Sequence, residues 1–269
     1  MSKFKLFHYD VNTKKLPKGS RGLTFVLLSD LHNHVYGPEN QQLLEGVEAQ
    51  KPDAVLSAGD MLIGHSQESF GPALQLFQRL REKKLPVFYG NGNHEYRMRM
   101  HPEVYGEKYQ AYAKGLRDCG VILLENQSIP FDKNGLSMRI YGFELDERYY
   151  HKLTNAAFQK GELTEALGIP DPDCYNILLA HNPVHFEHYA EWGADLTVSG
   201  HLHGGIIRIP GIGGVISPQA KLFPRYDAGH FEKVGRDLIV SRGLGTHTVN
   251  IRIFNPAELS VIHLKPAKV

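Results

Sequence analysis

The sequence is poor in cysteine and tryptophan, with two cysteines and one tryptophan among 269 residues. Cys119 and Cys174 lie far apart and form no Cys-x-x-Cys pair, which excludes a thiolate zinc site and a small disulfide-stapled domain. We expect buried free thiols at both positions, and a single disulfide between them is the alternative. Any metal chemistry must therefore use imidazole and carboxylate ligands rather than thiolates.

Neither sign of charge is in excess, because 30 Lys and Arg residues face 29 Asp and Glu residues, for a formal net charge of +1. No block of like charge occurs, so the sequence predicts no extended positive surface that would attract nucleic acid. A nucleic-acid partner is therefore disfavoured. No apolar run reaches the ~18 residues that span a bilayer. As the chain stands we expect a soluble, cytoplasmic protein. Membrane contact is expected only if this is the soluble domain of a protein whose N-terminal anchor is missing.

The composition is typical of a globular chain with a sizeable core, at 42% hydrophobic and 22% charged residues and without internal repeats. We predict one catalytic domain over residues 1–269. Residues 1–20 read as a polar leader that runs into a strand. Residues 144–170 have a helical pattern between β-rich runs, which predicts a cap insertion near the mouth of a site.

Short apolar runs at residues 23–29, 53–59 and 86–89 predict buried strands, and the stretches between them place apolar residues at helical spacing. This alternation indicates βαβ units and an at least partly parallel sheet. The second half contains short β-rich runs joined by brief connections, which predicts a mixed or antiparallel sheet. The predicted fold class is therefore α/β (α+β), with two packed sheets and helices outside.

Histidine is abundant, with 15 copies, and several histidines follow predicted strands. Five predicted strands run into polar residues of one chemistry: Asp30 and His32; Asp60; Asn93, His94 and Glu95; His181; His201 and His203. In open α/β sheets ligands bind beyond the carboxyl ends of the strands, so these residues are expected to converge there.

These residue types suit two divalent ions that share one carboxylate. In an extended Asp-x-His segment, Asp30 and His32 point to the same face and could bind one ion together. Asp60 could bind one ion with each carboxylate oxygen, and a turn would direct His201 and His203 to different ions. Such a set leaves coordination positions for water and substrate. Two divalent cations, two carboxylates and a bridging hydroxide carry a net positive charge, which favours an anionic phosphate substrate.

In this order, the segments Asp30-x-His32, Gly59-Asp60, Gly92-Asn93-His94-Glu95, His181 and Gly200-His201-x-His203 resemble the motif set of the calcineurin-like metallophosphoesterases. Later segments are similar to the bacterial cell-envelope branch, which includes membrane-anchored members and relatives of the lipid A pyrophosphatase. The resemblance implies a four-layer sandwich of two mixed β-sheets flanked by helices, with a dimetal site at the carboxyl ends of the strands.

Carried over residue by residue, the resemblance implies two metal sites that share Asp60. The first site comprises Asp30, His32, Asp60 and His203, and the second comprises Asp60, Asn93, His181 and His201. His94 is implied to assist the leaving group, with Glu95 orienting it from behind. The implied cofactors are two divalent metal ions, with Mn favoured among Mn, Fe, Zn and Co.

The implied function is hydrolysis of a phosphate monoester, diester or pyrophosphate through attack by a metal-bridging hydroxide. The expected partner is a small-molecule phosphate ester or a lipid-linked phosphate. One alternative is a non-catalytic protein-interaction module on the same fold, which the intact ligand set disfavours. The other is a nuclease of the same superfamily, which the absence of a basic stripe disfavours. Among the remaining histidines, His34 and His247 are expected at the pocket rim.

Overall fold

The structure is a computed structural model that describes residues 3–64, 69–150, 157–159, 161–205, 207–209, 213–215, 222–246 and 252–267. Within these ranges the strands are Phe4–Thr13 (β1), Leu23–Leu28 (β2), Ala54–Ser57 (β3), Val87–Gly90 (β4), Ile122–Leu124 (β5), Gln127–Lys133 (β6), Leu136–Phe143 (β7), Tyr175–Ala180 (β8), Leu196–Ser199 (β9), Arg208–Ile209 (β10), Gly213–Gly214 (β11), Gly229–Lys233 (β12), Arg236–Val240 (β13) and Ala257–Pro266 (β14). The α-helices are Gln41–Ala49 (α1), Gly71–Glu82 (α2), Asn93–Met100 (α3), Pro102–Tyr105 (α4), Lys108–Asp118 (α5), Glu162–Leu167 (α6) and Phe186–Trp192 (α7). Short 3-10 turns cover Pro38–Asn40, Glu147–Tyr150 and Pro183–His185.

The strands form two six-stranded mixed sheets and one small hairpin. The first sheet has the order β1-β14-β2-β3-β4-β5, in which β2 to β5 are parallel and β14 is antiparallel to β2. The second has the order β12-β13-β9-β8-β7-β6, with a parallel centre and antiparallel strands β12 and β6 at its edges. This arrangement confirms the predicted fold class. The second sheet is more parallel than antiparallel, because helices and loops connect its central strands.

The apolar runs are continuous because each central strand is covered on both faces. In β2, Phe25 and Leu27 pack in the core between the two sheets, whereas Val26 and Leu28 pack in the core under the helices. The second sheet has its own outer core, which includes Tyr189 of α7. The layers are therefore helix, sheet, sheet and helix.

The segment predicted as a polar leader is largely a strand. Strand β1 pairs in parallel with β14 from Phe4 to Thr13, and Val11 and Leu16 are buried between the sheets. The prediction failed because β1 is an edge strand with many exposed side chains, so its composition is polar. Residues 1 and 2 lie outside the described part of the chain.

The helical pattern predicted over residues 144–170 is only partly realised. Its described portion contains the 3-10 turn Glu147–Tyr150 and the short helix α6, while residues 151–156 and 160 lie outside the described ranges. Cys119 and Cys174 are free thiols, but both are half-buried rather than buried. None of the described helices is both long and apolar enough to cross a membrane.

Candidate metal centre

The predicted site residues all lie at the carboxyl ends of strands. Asp30 and His32 follow β2, Asp60 follows β3, Asn93 and His94 follow β4, His181 follows β8, and His201 and His203 follow β9. Strands β2 to β4 are neighbours in the first sheet, and β8 and β9 are neighbours in the second. The two sheets pack face to face, so loops from both sheets meet at one edge of the sandwich.

Five of these residues have left-handed backbone conformations. The φ angles are 51° at Asp30, 47° at His32, 52° at Asp60, 68° at His201 and 51° at His203. The expectation of an extended Asp-x-His segment was therefore wrong, since the chain turns sharply here instead. Non-glycine residues rarely adopt this conformation, and such strain concentrates at functional sites.

The first group of side chains joins Asp30, His32 and His203, whose candidate ligand atoms lie within 4.8 Å of one another. Nε2 of His203 is 3.3 Å from Oδ1 of Asp30 and 3.2 Å from Nε2 of His32. Nδ1 of His32 lies 3.3 Å from the Leu62 carbonyl, which can only accept a hydrogen bond. That bond fixes the proton on Nδ1 of a neutral ring and leaves Nε2 as a metal-binding lone pair.

The second group joins Asp60, His181 and His201 under the same 4.8 Å limit. Nδ1 of His181 donates to the Ala58 carbonyl at 2.6 Å, and its Nε2 lies 3.1 Å from Oδ2 of Asp60 without hydrogen-bond geometry. Asn93 begins α3 beside His94, and its buried Oδ1 has no hydrogen-bond partner among the described residues. Buried polar atoms are normally satisfied, so the orphaned Oδ1 of Asn93 fits a site that takes a cation.

His94 belongs to a third group, with His32 and Asp60. Its Nδ1 accepts a hydrogen bond from the Gly64 N–H at 2.9 Å, which places the proton of a neutral ring on Nε2. Nε2 lies 3.9 Å from Oδ2 of Asp60, so the donor edge of the ring faces the shared carboxylate. The backbone N–H of His94 also donates to Oδ1 of Asp60 at 2.9 Å.

Glu95 holds the backbone around the site. Its buried carboxylate accepts hydrogen bonds from the N–H groups of Asp60, Met61 and Gly92 and from the Tyr89 hydroxyl. That Glu95 also orients His94 stays a prediction. Helix α3 starts at Asn93, so Glu95 caps the first turn and faces the Asp60 loop.

Burial and neighbouring charges shift the pKa values of the candidate ligand residues in opposite directions. Burial lowers the pKa of His32 to about 3, and burial also lowers the pKa of His201 well below its ordinary value. Although burial opposes it, the carboxylates of Asp60 and Asp30 raise the pKa of His181 to about 9. The pKa of Asp60 is well below its ordinary value because the charges of His181 and His94 outweigh its burial. Burial and the charge of Asp60 raise the pKa of Glu95 to about 7.

Close backbone approach requires glycine at two of the strand ends. A Cβ added to Gly200 would lie 2.0 Å from Oγ of Ser29 and 2.1 Å from Oδ2 of Asp30. A Cβ added to Gly92 would lie 2.2 Å from Oδ1 of Asp60. Because neither glycine has a side chain, the carboxylates of Asp30 and Asp60 can lie directly against the backbone at Gly200 and Gly92.

Sequence reasoning missed Asn255, which lies beside the site. Asn255 is buried, and its Nδ2 donates to the carbonyls of His203 at 2.6 Å and Gly205 at 2.7 Å, which fixes the turn that carries His203. No local pattern marks this asparagine, which lies 52 residues from His203 in sequence. Tyr150, in the predicted cap, has its ring centroid 4.9 Å from that of His201.

Two facing mixed sheets, with histidines and carboxylates gathered at their strand ends, define an α/β protein with a candidate metal centre. Residues 23–205 match the family model of the calcineurin-like phosphoesterases, so the chain belongs to this family. Family membership implies divalent metal ions and phosphoesterase chemistry.

Relatives cover most of the chain. It is 29% identical to YpbG of Bacillus subtilis (strain 168) over 92% of this chain and 83% of that protein. It is 26% identical to the phosphodiesterase YaeI of Escherichia coli (strain K12), over 89% of this chain and 81% of the relative. Among solved structures, TT1561 of Thermus thermophilus superposes with a TM-score of 0.51 at 10% identity, covering 83% of this chain and 92% of the other, which supports the fold.

Proposed function

We propose that the chain hydrolyses a phosphate ester with two divalent cations bound at the strand ends. The first cation would be held by Asp30, His32, Asp60 and His203, and the second by Asp60, Asn93, His181 and His201. The observation that carries this proposal is the overlap of three ligand groups through His32 and Asp60. Groups that are joined in this way, with Asp30 in the first and Asp60 in the other two, are suited to a pair of ions rather than to a single one.

The donor set fits such ions chemically. Imidazole nitrogens together with carboxylate and amide oxygens suit Mn, Fe, Zn or Co, and Mn is the metal that we favour. When bound, the cations would neutralise charge on phosphate oxygens and activate water as the nucleophile. Because Nδ1 of His32 and Nδ1 of His181 donate to backbone carbonyls, Nε2 of each ring would be the atom that binds a cation, and His181 would release its Nε2 proton when the cation binds.

His94 would act on the leaving group. The Gly64 N–H occupies its Nδ1, so the ring presents its N–H at Nε2 beside Asp60. From there it would donate a proton or a hydrogen bond to the departing oxygen, a contribution of roughly 10²- to 10⁴-fold in general acid catalysis.

The substrate would be a small-molecule phosphate ester or a lipid-linked phosphate. The name of the relative YaeI, a phosphodiesterase, favours a diester over a monoester. Residues 144–170 would cap the site and select the rest of the substrate, since Tyr150 already lies against His201. Membership of the cell-envelope branch is part of this proposal.

The test combines elemental analysis with turnover of para-nitrophenyl phosphate and bis-para-nitrophenyl phosphate under added Mn, Fe, Zn or Co. We expect about two metal ions per chain in the wild type, as two-metal hydrolases require. Asp60→Asn should lower both metal content and rate. His94→Ala should retain both ions and lose turnover, while His8→Ala, an exposed histidine on β1, serves as the matched control.

Three results would contradict the proposal. Full metal content and full rate in Asp60→Asn would exclude the shared carboxylate. Loss of an ion in His94→Ala would reassign this residue as a ligand. Bound metal without turnover of any ester would favour the interaction module instead.

A further inference from the structure

A cavity of about 620 Å³ lies beside the candidate metal centre and is not explained by it. Its lining includes Lys3 and Lys5 of the N-terminal strand region, His34 after β2, and Arg252 before β14. Among the described lining residues there is no Asp or Glu, and His34 is one of the two histidines predicted at a pocket rim. His247, the other one, lies outside the described residues.

Two lysines of the cavity carry cationic charge that is not paired with a carboxylate in the described part of the chain. Lys3 and Lys5 are exposed, and neither forms an ion pair within the described ranges. The Arg252 guanidinium donates to the carbonyls of Arg242, Gly243 and Gly245, and the carboxylates of Asp30 and Glu258 offset part of its charge. Clefts lined by charge of one sign concentrate counter-ions of the other sign.

One turn of backbone separates this cavity from the metal ligands. The Gly245 N–H donates to the Asp30 carbonyl at 2.6 Å, while the Leu244 N–H donates to the Ser29 carbonyl at 3.1 Å. A Cβ added to Gly243 would lie 2.7 Å from Cβ of Asp30. Leu244 and Gly245 themselves line the cavity, so the cavity wall is in direct backbone contact with Ser29 and Asp30.

We propose that this cavity binds a second anionic group of the substrate, a phosphate remote from the ester bond that is cleaved. This inference rests on the proposed function and deepens it by defining the substrate class as a molecule with two phosphate groups. The lysine ammonium groups would supply charge-assisted hydrogen bonds at the rim. The volume leaves room for the atoms that connect the second phosphate to the first.

The test compares Lys3→Ala/Lys5→Ala with Lys14→Ala/Lys18→Ala. The second pair removes the same charge from exposed lysines that also form no ion pair within the described residues, and both lie beyond the opposite end of β1. Calorimetry on the metal-loaded protein measures binding of glycerol phosphate and of glycerol bisphosphate. A parallel arm measures cosedimentation with phosphatidylcholine vesicles, with or without phosphatidylglycerol, which distinguishes a soluble from a lipid source of the second phosphate.

We expect Lys3→Ala/Lys5→Ala to weaken glycerol bisphosphate binding by about 3- to 20-fold at low salt, given the usual strength of two exposed charge contacts. Glycerol phosphate binding should change by less than about twofold, and added salt should erase the difference. Selective loss of binding to phosphatidylglycerol vesicles would support the same site with a lipid source.

Two outcomes would overturn the inference: no selective loss in either arm, or an equal loss in Lys14→Ala/Lys18→Ala. Failure of the proposed function is separable, because it appears as absent turnover of para-nitrophenyl esters by the wild type. The binding measurement decides on the cavity in either case.

Discussion

Glu95→Gln tests whether a buried carboxylate holds the metal-ligand loops in place. In the wild type, Oε2 accepts from the N–H groups of Asp60 at 2.9 Å and Gly92 at 3.0 Å. Oε1 accepts from the Met61 N–H at 2.9 Å and the Tyr89 hydroxyl at 2.7 Å. Glutamine has one acceptor oxygen, so its NH₂ must face one of these donor pairs.

The less costly orientation directs the NH₂ to Tyr89, whose hydroxyl can reverse and accept. The Met61 N–H then loses its acceptor in a fully buried position, which costs about 1 to 3 kcal/mol. Above pH 7, where Glu95 of the wild type is ionised, the remaining bonds also weaken because they no longer end on a charged group, so the comparison is made at a pH above 7. We therefore expect the free energy of unfolding to fall by about 2 to 4 kcal/mol, and metal affinity to fall by about 10- to 100-fold because the Asp60 backbone is released.

The assay combines denaturant unfolding with metal titration and the turnover of para-nitrophenyl phosphate by the metal-loaded protein. Asp53→Asn is the matched control, because Asp53 is a buried carboxylate at the opposite end of β3 that accepts from Arg21 and from the Thr24 N–H. It should lower stability without changing metal affinity. Wild-type stability and metal affinity in Glu95→Gln, or an equal loss of affinity in Asp53→Asn, would refute the reasoning.

Three further predictions follow from neighbouring contacts. Asn255→Ala removes both hydrogen bonds to the turn of His203 and should lower stability by about 1 to 3 kcal/mol together with metal affinity, as measured by melting and titration; unchanged affinity would contradict a positioning role. Gly200→Ala would place a methyl group 2.1 Å from Oδ2 of Asp30 and should abolish metal binding by elemental analysis, so full occupancy would show that the loop yields. Shortening residues 144–170 should change the ranking of bulky substrates but spare para-nitrophenyl phosphate, and a loss of stability alone would make the segment structural packing.

Much of the fold was predictable because the central strands are buried on both faces. Residues 23–29 and 53–59 are continuous apolar runs for that reason, and their ends are marked by Asp30 and Asp60. The predicted site residues could be named in advance because each one directly follows a strand. The carboxyl ends of neighbouring parallel strands lie at the same edge of a sheet, so residues that follow different strands in the sequence lie close together in the structure.

The sequence alone determined the type of chemistry through its excess of histidine, its shortage of cysteine and the residues after five strands. The tertiary structure decided what depends on contacts between distant segments. Strands β1 and β14 lie near opposite ends of the sequence but pair in the first sheet. Their pairing brings Lys3 and Lys5 to the cavity beside Asp30. Glu95 reaches the N–H groups of the Asp60 loop because α3 begins at Asn93 and directs this side chain back across its first turn. Periodicity records which face of an element is buried, but it does not record which distant group lies against that face.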